Sequence, residues 1–283
     1  MRASSGRPSR ARWGQHFLVN AGTVEKILDG LGAREGDTVV EVGPGRGALT
    51  RPLLDRGVRV LAFEIDPVLA ARLSLELAER ALFVETADVL RSDVADALDR
   101  IGARPPVPFV GSLPYESATP MLRAFVRRPE LFSRLVVMIQ KEVADRIVAP
   151  PGGDAYGFLT LDISAHAAAR RLFDVSRGDF SPPPKVKSSV LELVPRPPAA
   201  GADEILRVAS AGFTARRKTL VNALTPLWGR ERAASAVAGV GLPATARAET
   251  LGLDVFRALA AMLGQPGNSP KNVRSPVTIR RCR

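Results

Sequence analysis

Thr38-Val39-Val40-Glu41-Val42-Gly43-Pro44-Gly45-Arg46-Gly47 is the stretch from which the fold is read. Its first five residues are mostly β-branched and apolar, which reads as a buried strand. Three alternating glycines follow, and then Ala48 to Arg56 reads as a helix. Glycines between a strand and a helix let the backbone come close to a ligand. The spacing differs from the G-x-G-x-x-G dinucleotide turn. The third glycine arrives one residue early, and Pro44 removes an amide that a phosphate would use. Taken alone, the loop is weak evidence for a nucleotide-type ligand.

The pattern continues outward from the loop. Val58 to Phe63 reads as a second strand ending at Glu64-Ile65-Asp66, and Pro67 to Arg80 reads as a helix with Leu69, Leu73 and Leu77 four apart. Ala81 to Glu85 is a third strand ending near Asp88, and Val94 to Ile101 is helical. The run Val107-Pro108-Phe109-Val110 is a fourth strand, which opens through Gly111 onto Ser112-Leu113-Pro114-Tyr115. Leu135 to Ile139 reads as a fifth strand, and Gly22 to Leu31 as an amphipathic helix ahead of the first. Strands alternating with helices imply an α/β fold, a parallel Rossmann-like sheet with helices on both faces.

Beyond Ile139 the texture changes. Ala149 to Gly157 is a Pro/Gly loop before the apolar stretch Phe158–Ile163. Phe180-Ser181-Pro182-Pro183-Pro184-Lys185-Val186 is a proline-set segment entering a strand over Ser189–Val194. Pro195–Gly201 has the composition of a linker. Asp203 to Leu263 is helical, with breaks expected at Pro226 and around Gly239–Pro243. The expected organisation is a basic disordered arm over 1–12, a catalytic domain over 13–197, a small all-helical domain over 202–264 and a basic disordered tail over 265–283.

Charge and cysteine content narrow the classes. The chain has 283 residues and a net charge of +11, which suggests a polyanionic partner. Nine of those eleven charges come from the ends: Arg2, Arg7, Arg10 and Arg12, then Lys271, Arg274, Arg280, Arg281 and Arg283. Such ends grip phosphates or serve as solubilising tails. The lone cysteine, Cys282, rules out a disulfide framework and fits a reducing cytosol. With His16 and His166 it supplies no His/Cys zinc cluster, and no metal is expected. No apolar run approaches a membrane span, and no secretory h-region follows the N-terminal arginines.

The chemistry-bearing residues fall at the strand ends in order. Glu64 stands where a carboxylate accepts from a ribose diol. Asp88 is placed to accept from an adenine amine, although strand-end acids also serve as helix caps. Ser112 and the Leu113 carbonyl each offer an acceptor to an exocyclic amine. Pro114 shapes the turn, and Tyr115 presents a ring face for stacking; a plain β-turn with a half-buried tyrosine is the simpler reading. A glycine loop, two acids and a polar-x-Pro-Tyr turn after successive strands is the layout of class I S-adenosylmethionine-dependent methyltransferases.

At this point the chain resembles a family, the ribosomal RNA adenine N6-dimethyltransferases of the small-subunit type. The resemblance covers roughly residues 12–263. It is carried by Gly14–Leu18, Glu41–Gly47, Glu64–Asp66, Gly111–Pro120, Gln140–Arg146, Ala155–Gly157, Phe180–Val190 and Arg216–Leu224. It implies S-adenosyl-L-methionine as cofactor and dimethylation of N6 on two adjacent adenosines near the 3′ end of small-subunit rRNA. The implied partner is a ribosomal assembly intermediate, met by a cytoplasmic monomer. It implies a donor site of His16, Leu18, Gly43, Gly45, Gly47, Glu64, Ile65, Asp88, Val89 and Ser112. The implied catalytic set is Ser112, Leu113, Pro114, Tyr115 and Phe180. Phe180 would stack on the base, whereas an aromatic before three prolines also reads as a core anchor. Lys185, Lys187, Arg216, Arg217 and Lys218 are the expected RNA contacts, with a solvated helix face as the alternative for the last three. The family usually has Asn where this chain has Ser112, so the acceptor here is shorter. The macrolide-resistance type acting on large-subunit rRNA and an assembly factor without catalysis remain the alternatives.

Overall fold

The computed structural model describes residues 16–115, 117–198, 200–215 and 218–264. Expectations for residues 1–12 and 265–283, and for Arg216 and Arg217, lie outside the described residues.

Elements are numbered along the chain. A short strand β1 (Phe17–Leu18) precedes helix α1 (Ala21–Leu31), which Asn20 caps by accepting from Thr23 N at 3.0 Å. The loop-bearing strand is β2 (Thr38–Val42), followed by α2 (Thr50–Asp55), β3 (Arg59–Glu64), α3 (Pro67–Glu76) and β4 (Leu82–Thr86). Next come α4 (Val94–Arg100), β5 (Val107–Ser112), α5 (Ala118–Phe125), β6 (Phe132–Gln140), α6 (Lys141–Ile147) and α7 (Phe158–Ser164). The strands β7 (Ala167–Val175), β8 (Phe180–Ser181) and β9 (Ser188–Pro195) precede the helices α8 (Ala202–Phe213), α9 (Leu220–Trp228), α10 (Arg230–Gly239) and α11 (Leu253–Leu263).

Seven strands form one sheet in the order β4-β3-β2-β5-β6-β9-β7, with helices on both sides. Every residue of β2 is buried, as expected for a central strand between two helix layers. The pairings among β4, β3, β2, β5 and β6 are parallel. The sheet as a whole is mixed: β9 runs antiparallel to both β6 and β7. The expectation of a parallel sheet therefore holds for five strands and fails for the last two. The sequence reading missed β7 because Ala-Ala-Ala-Arg-Arg-Leu-Phe-Asp-Val lacks the β-branched density that marks the others.

Of the described residues, those to Pro150 and from Asp162 to Pro198 form one compact unit. Pro151–Leu161 and those from Ala200 form the second. The second unit is helical and centres on Phe256, with Phe213 between Phe256 and Tyr156. Tyr156 binds the Leu251 carbonyl at 2.7 Å, and Gly152 N binds the Glu249 carbonyl at 2.8 Å, which ties 151–161 to the helices. Burial pushes the Tyr156 hydroxyl up to about 12. Pro226 does not break its helix: it lies inside α9, which ends at Gly229. In a helix this short, near its last turn, proline removes one donor without displacing a long ladder.

Where β2 meets β5, Val42 pairs with Gly111. A Cβ on Gly111 would lie 2.8 Å from the Val42 carbonyl oxygen, a backbone atom that cannot move aside. Gly111→Ala is expected to destabilise the protein by about 1–3 kcal/mol, measured as a lower urea midpoint. An unchanged midpoint contradicts the close approach.

Candidate active site

The carboxyl ends of β2, β3, β4 and β5 converge through backbone bonds. Gly43 N donates to the Phe63 carbonyl at 3.0 Å, Ala87 N to the Glu64 carbonyl at 3.0 Å, and Leu113 N to the Met138 carbonyl at 3.1 Å. The glycine loop is held open between them. Gly43, Gly45 and Gly47 have φ of 70°, 56° and 82°, which side-chain-bearing residues rarely adopt. A Cβ on Gly43 would meet the Ser112 carbonyl oxygen at 3.4 Å, and one on Gly45 the Phe17 ring at 3.2 Å.

Glu64 organises this loop. It is 4% exposed, and its carboxylate accepts from Gly45 N and Asp66 N, each at 3.0 Å. Both oxygens keep a second lone pair for a ligand hydroxyl. Ile65 beside it is largely exposed, while Asp66 caps α3. Asp88 caps the short turn Val89–Arg91 through Leu90 N at 3.0 Å and lies near Arg91; Val89 is buried. The helix-cap reading of Asp88 is thus visible, and capping leaves its other lone pairs available.

Glu41, in β2, has no role that the sequence motif predicts. It is 1% exposed, and its Oε2 has no hydrogen-bond partner among the described residues. Desolvation pushes its carboxyl up to about 8, with the nearby Glu64 carboxylate adding to the rise. Thr50 offsets part of it from close by, but its buried hydroxyl does not reach hydrogen-bond geometry. The signal was present in the sequence: an acid inside an otherwise apolar strand.

Ser112 ends β5 partly exposed, and no hydrogen bond joins its hydroxyl to another described residue. Leu113 is buried, and the Pro114 carbonyl accepts from Ser117 N and Ala118 N, fixing the start of α5. Tyr115 is half-buried, with its hydroxyl 3.4 Å from Ser188 Oγ and its ring stacked on His16 at a centroid distance of 6.3 Å. Ser188 is a site residue that local sequence signals did not mark, because the contact joins two distant strands.

The segment His16–Leu18 lies along the same opening. His16 Nδ1 is 2.9 Å from the Pro182 carbonyl, Arg46 stacks on Phe17 at 4.3 Å, and Leu18 is buried opposite Phe180 in the β1–β8 pair. Phe180 is 5% exposed and belongs to the core with Leu18, Val175 and Val190. Its burial fits the core-anchor reading. Lys185 and Lys187 are exposed beside Ser188, and Lys218 is exposed in the helical unit.

An open α/β sheet with a ligand cradle at the carboxyl ends of its central strands is the class I methyltransferase arrangement. The description of the ribosomal RNA adenine dimethylase family matches residues 6–256, and the chain belongs to that family. It is 38% identical to the ribosomal RNA small subunit methyltransferase A of Pseudomonas aeruginosa, over 92% of this chain and 97% of that one. It is 40% identical to the protein of the same name from Phenylobacterium zucineum, over 89% and 87%. Among solved structures it superposes on a dimethyladenosine transferase from Plasmodium falciparum with a TM-score of 0.71 at 23% identity, covering 86% and 96% of the two chains. It superposes on the 23S rRNA methyltransferase ErmE with a TM-score of 0.69 at 26% identity, covering 88% and 100%.

The raised Glu41 carboxyl has a stability consequence. The folded state holds this proton more tightly than the unfolded chain, so the group's contribution is full below about pH 4.5 and is lost as the pH rises toward 8. Glu41→Gln removes that loss. Without ligand, its stability relative to the unmodified chain is expected to be greater at pH 8.5 than at pH 5, by a few kcal/mol (roughly). A difference that does not change with pH refutes this assignment.

Proposed function

We propose that this chain transfers methyl groups from S-adenosyl-L-methionine to N6 of adenosine in small-subunit ribosomal RNA, two on each of two adjacent residues near its 3′ end. The observation that carries the reading is the close approach of Gly43 to the Ser112 carbonyl, which sets the glycine loop against the Ser112–Tyr115 turn. The small-subunit assignment draws on relatives named for that subunit at 38–40% identity. The likeness to a 23S rRNA methyltransferase keeps the large-subunit reading as the second choice.

The residues present fit the cofactor. The three loop glycines hold φ values that glycine alone adopts readily, and a buried Glu41 oxygen has no partner among the described residues. The Glu64 carboxylate at the glycine loop suits a ligand that carries an ammonium and a sulfonium. Glu64 would hold the ribose hydroxyls and Asp88 the adenine amine. Gly43, Gly45 and Gly47 would admit the amino-acid portion, and His16, Leu18, Ile65, Val89 and Ser112 would wall the site. When bound, S-adenosylmethionine supplies an electrophilic methyl group.

The chain's own part is to prepare the acceptor. An adenine N6 is a weak nucleophile because its lone pair is drawn into the ring. Acceptors on Ser112 and the Leu113 carbonyl bind its two hydrogens and free the lone pair to point at the donor. The N6 proton leaves to solvent after attack, so no dedicated base is required. Tyr115 stacks the base, which must be unpaired or flipped to enter. Phe180 contributes from the core side of the slot, by fixing β8. Lys185, Lys187, Arg216, Arg217 and Lys218 contact phosphate. The substrate is an assembly intermediate of the subunit, and the protein acts as a cytoplasmic monomer between encounters. No described helix is long and apolar enough to cross a membrane.

Serine is shorter than the family's asparagine, and the cost falls on the monomethylated amine, which has only one hydrogen left to anchor it. Ser112→Asn is expected to leave the first transfer to an assembly-intermediate subunit near its original rate and to speed the second. Equal rates for both steps in the two proteins remove this idea. No transfer by either protein, with subunit binding retained, selects a non-catalytic assembly factor.

Neutralising Lys185 and Lys187 together is expected to reduce the salt dependence of subunit binding by about 1.4–1.8 in log–log slope. An unaltered slope removes these two lysines from the RNA contacts.

A further inference from the structure

The strip His16–Thr23 touches both sides of the opening, and a single carboxylate fastens it. Asp179 lies one residue before β8. Its Oδ1 accepts from Asn20 Nδ2 at 3.1 Å, its Oδ2 from the Thr23 hydroxyl at 2.9 Å, and its carbonyl from Val19 N at 2.8 Å. The Thr23 hydroxyl is in a side chain only 9% exposed, and the Asn20 side chain that Asp179 binds also caps α1. Beside the fastening, Leu18 pairs with Phe180 and Phe17 with Ser181, and His16 binds the Pro182 carbonyl.

The strip therefore has two working edges. On one, Phe17 packs on Gly45 and Arg46 in the glycine loop. On the other, it is joined to the segment that runs from Asp179 to Ser188, whose Ser188 hydroxyl meets Tyr115, and His16 stacks on Tyr115 directly. The pairing of β1 with β8 is only two residues long, too short to hold register unaided. A carboxylate that fills both oxygens with donors from the start of α1 supplies what the short ladder lacks.

We propose that Asp179 is a positioning residue that sets the glycine loop and the Tyr115 slot in register through the strip His16–Thr23. This rests on the methyltransferase reading given above. Asp179 touches neither donor nor base; it acts through His16, Phe17 and the β8 segment. Its loss loosens both edges together, so the donor site and the acceptor slot degrade in the same variant.

Two variants separate positioning from bulk structure. Asp179→Ala removes both acceptors. Asp179→Asn keeps an oxygen for Asn20 and presents an amide that the Thr23 hydroxyl can accept. The alanine variant is expected to raise the KM for S-adenosylmethionine about tenfold and lower the single-turnover rate on the subunit about tenfold, as loss of a charged hydrogen-bond pair implies. Its Tm is expected to fall by only about 3–8 °C, with the chain still folded at the assay temperature, and the asparagine variant is expected to recover most of both kinetic parameters. Unchanged kinetics in the alanine variant, losses that follow Tm alone, or an asparagine variant as impaired as alanine each overturn the proposal.

Amide hydrogen exchange supplies a readout free of activity. In Asp179→Ala the Val19 amide and those of β8 are expected to exchange about tenfold faster together, with β2 and β5 unchanged. Equal exchange in the two proteins overturns the fastening. Failure of the unmodified chain to transfer methyl refutes the methyltransferase reading instead, and the exchange result then decides the fastening alone.

Discussion

Two backbones meet at the carboxyl ends of β2 and β5, and the rest of the site is arranged around that meeting. Gly111 lies against the Val42 carbonyl, which leaves no room for a Cβ, and Gly43 approaches the Ser112 carbonyl with a φ of 70° that side-chain-bearing residues rarely adopt. The constraint is steric and purely local. Its result is that the glycine loop and the Ser112–Tyr115 turn share one wall.

The charges at that wall follow from the fold. Parallel strands end where the next helix begins, so acids at strand ends find backbone amides to bind. Glu64 uses two such amides to shape the glycine loop, and Asp66 and Asp88 each start a turn. Glu41 is different. It has been drawn into the sheet without a full set of partners, and its cost falls if a cation occupies the loop.

The central sheet was legible because its strands are dense in valine, leucine and phenylalanine and are punctuated by glycine. The order of Gly43–Gly47, Glu64, Asp88 and Ser112–Tyr115 was legible in the same way, as residues that follow successive strands. Three features were not legible, each for a physical reason. Strand β7 opens with three alanines and two arginines and pairs with β9 along its length. Pro151–Leu161 joins the helical unit through contacts with residues about a hundred positions away, which local patterns do not report. The β1–β8 pair and Asp179 depend on two segments more than 150 residues apart, so neither segment alone announces a site. Phe180 shows the limit of the motif itself. Its place in the sequence suggested a stacking ring, and packing made it part of the core that holds β8.

The central claim is that this chain dimethylates adenosine in small-subunit rRNA. The most direct measurement maps N6,N6-dimethyladenosine along the rRNA of cells with and without the gene. The account predicts two adjacent dimethylated adenosines near the 3′ end of the small-subunit rRNA that vanish with the gene and return with it. Modification that persists at those positions without the gene, or that is lost from the large-subunit rRNA instead, contradicts it.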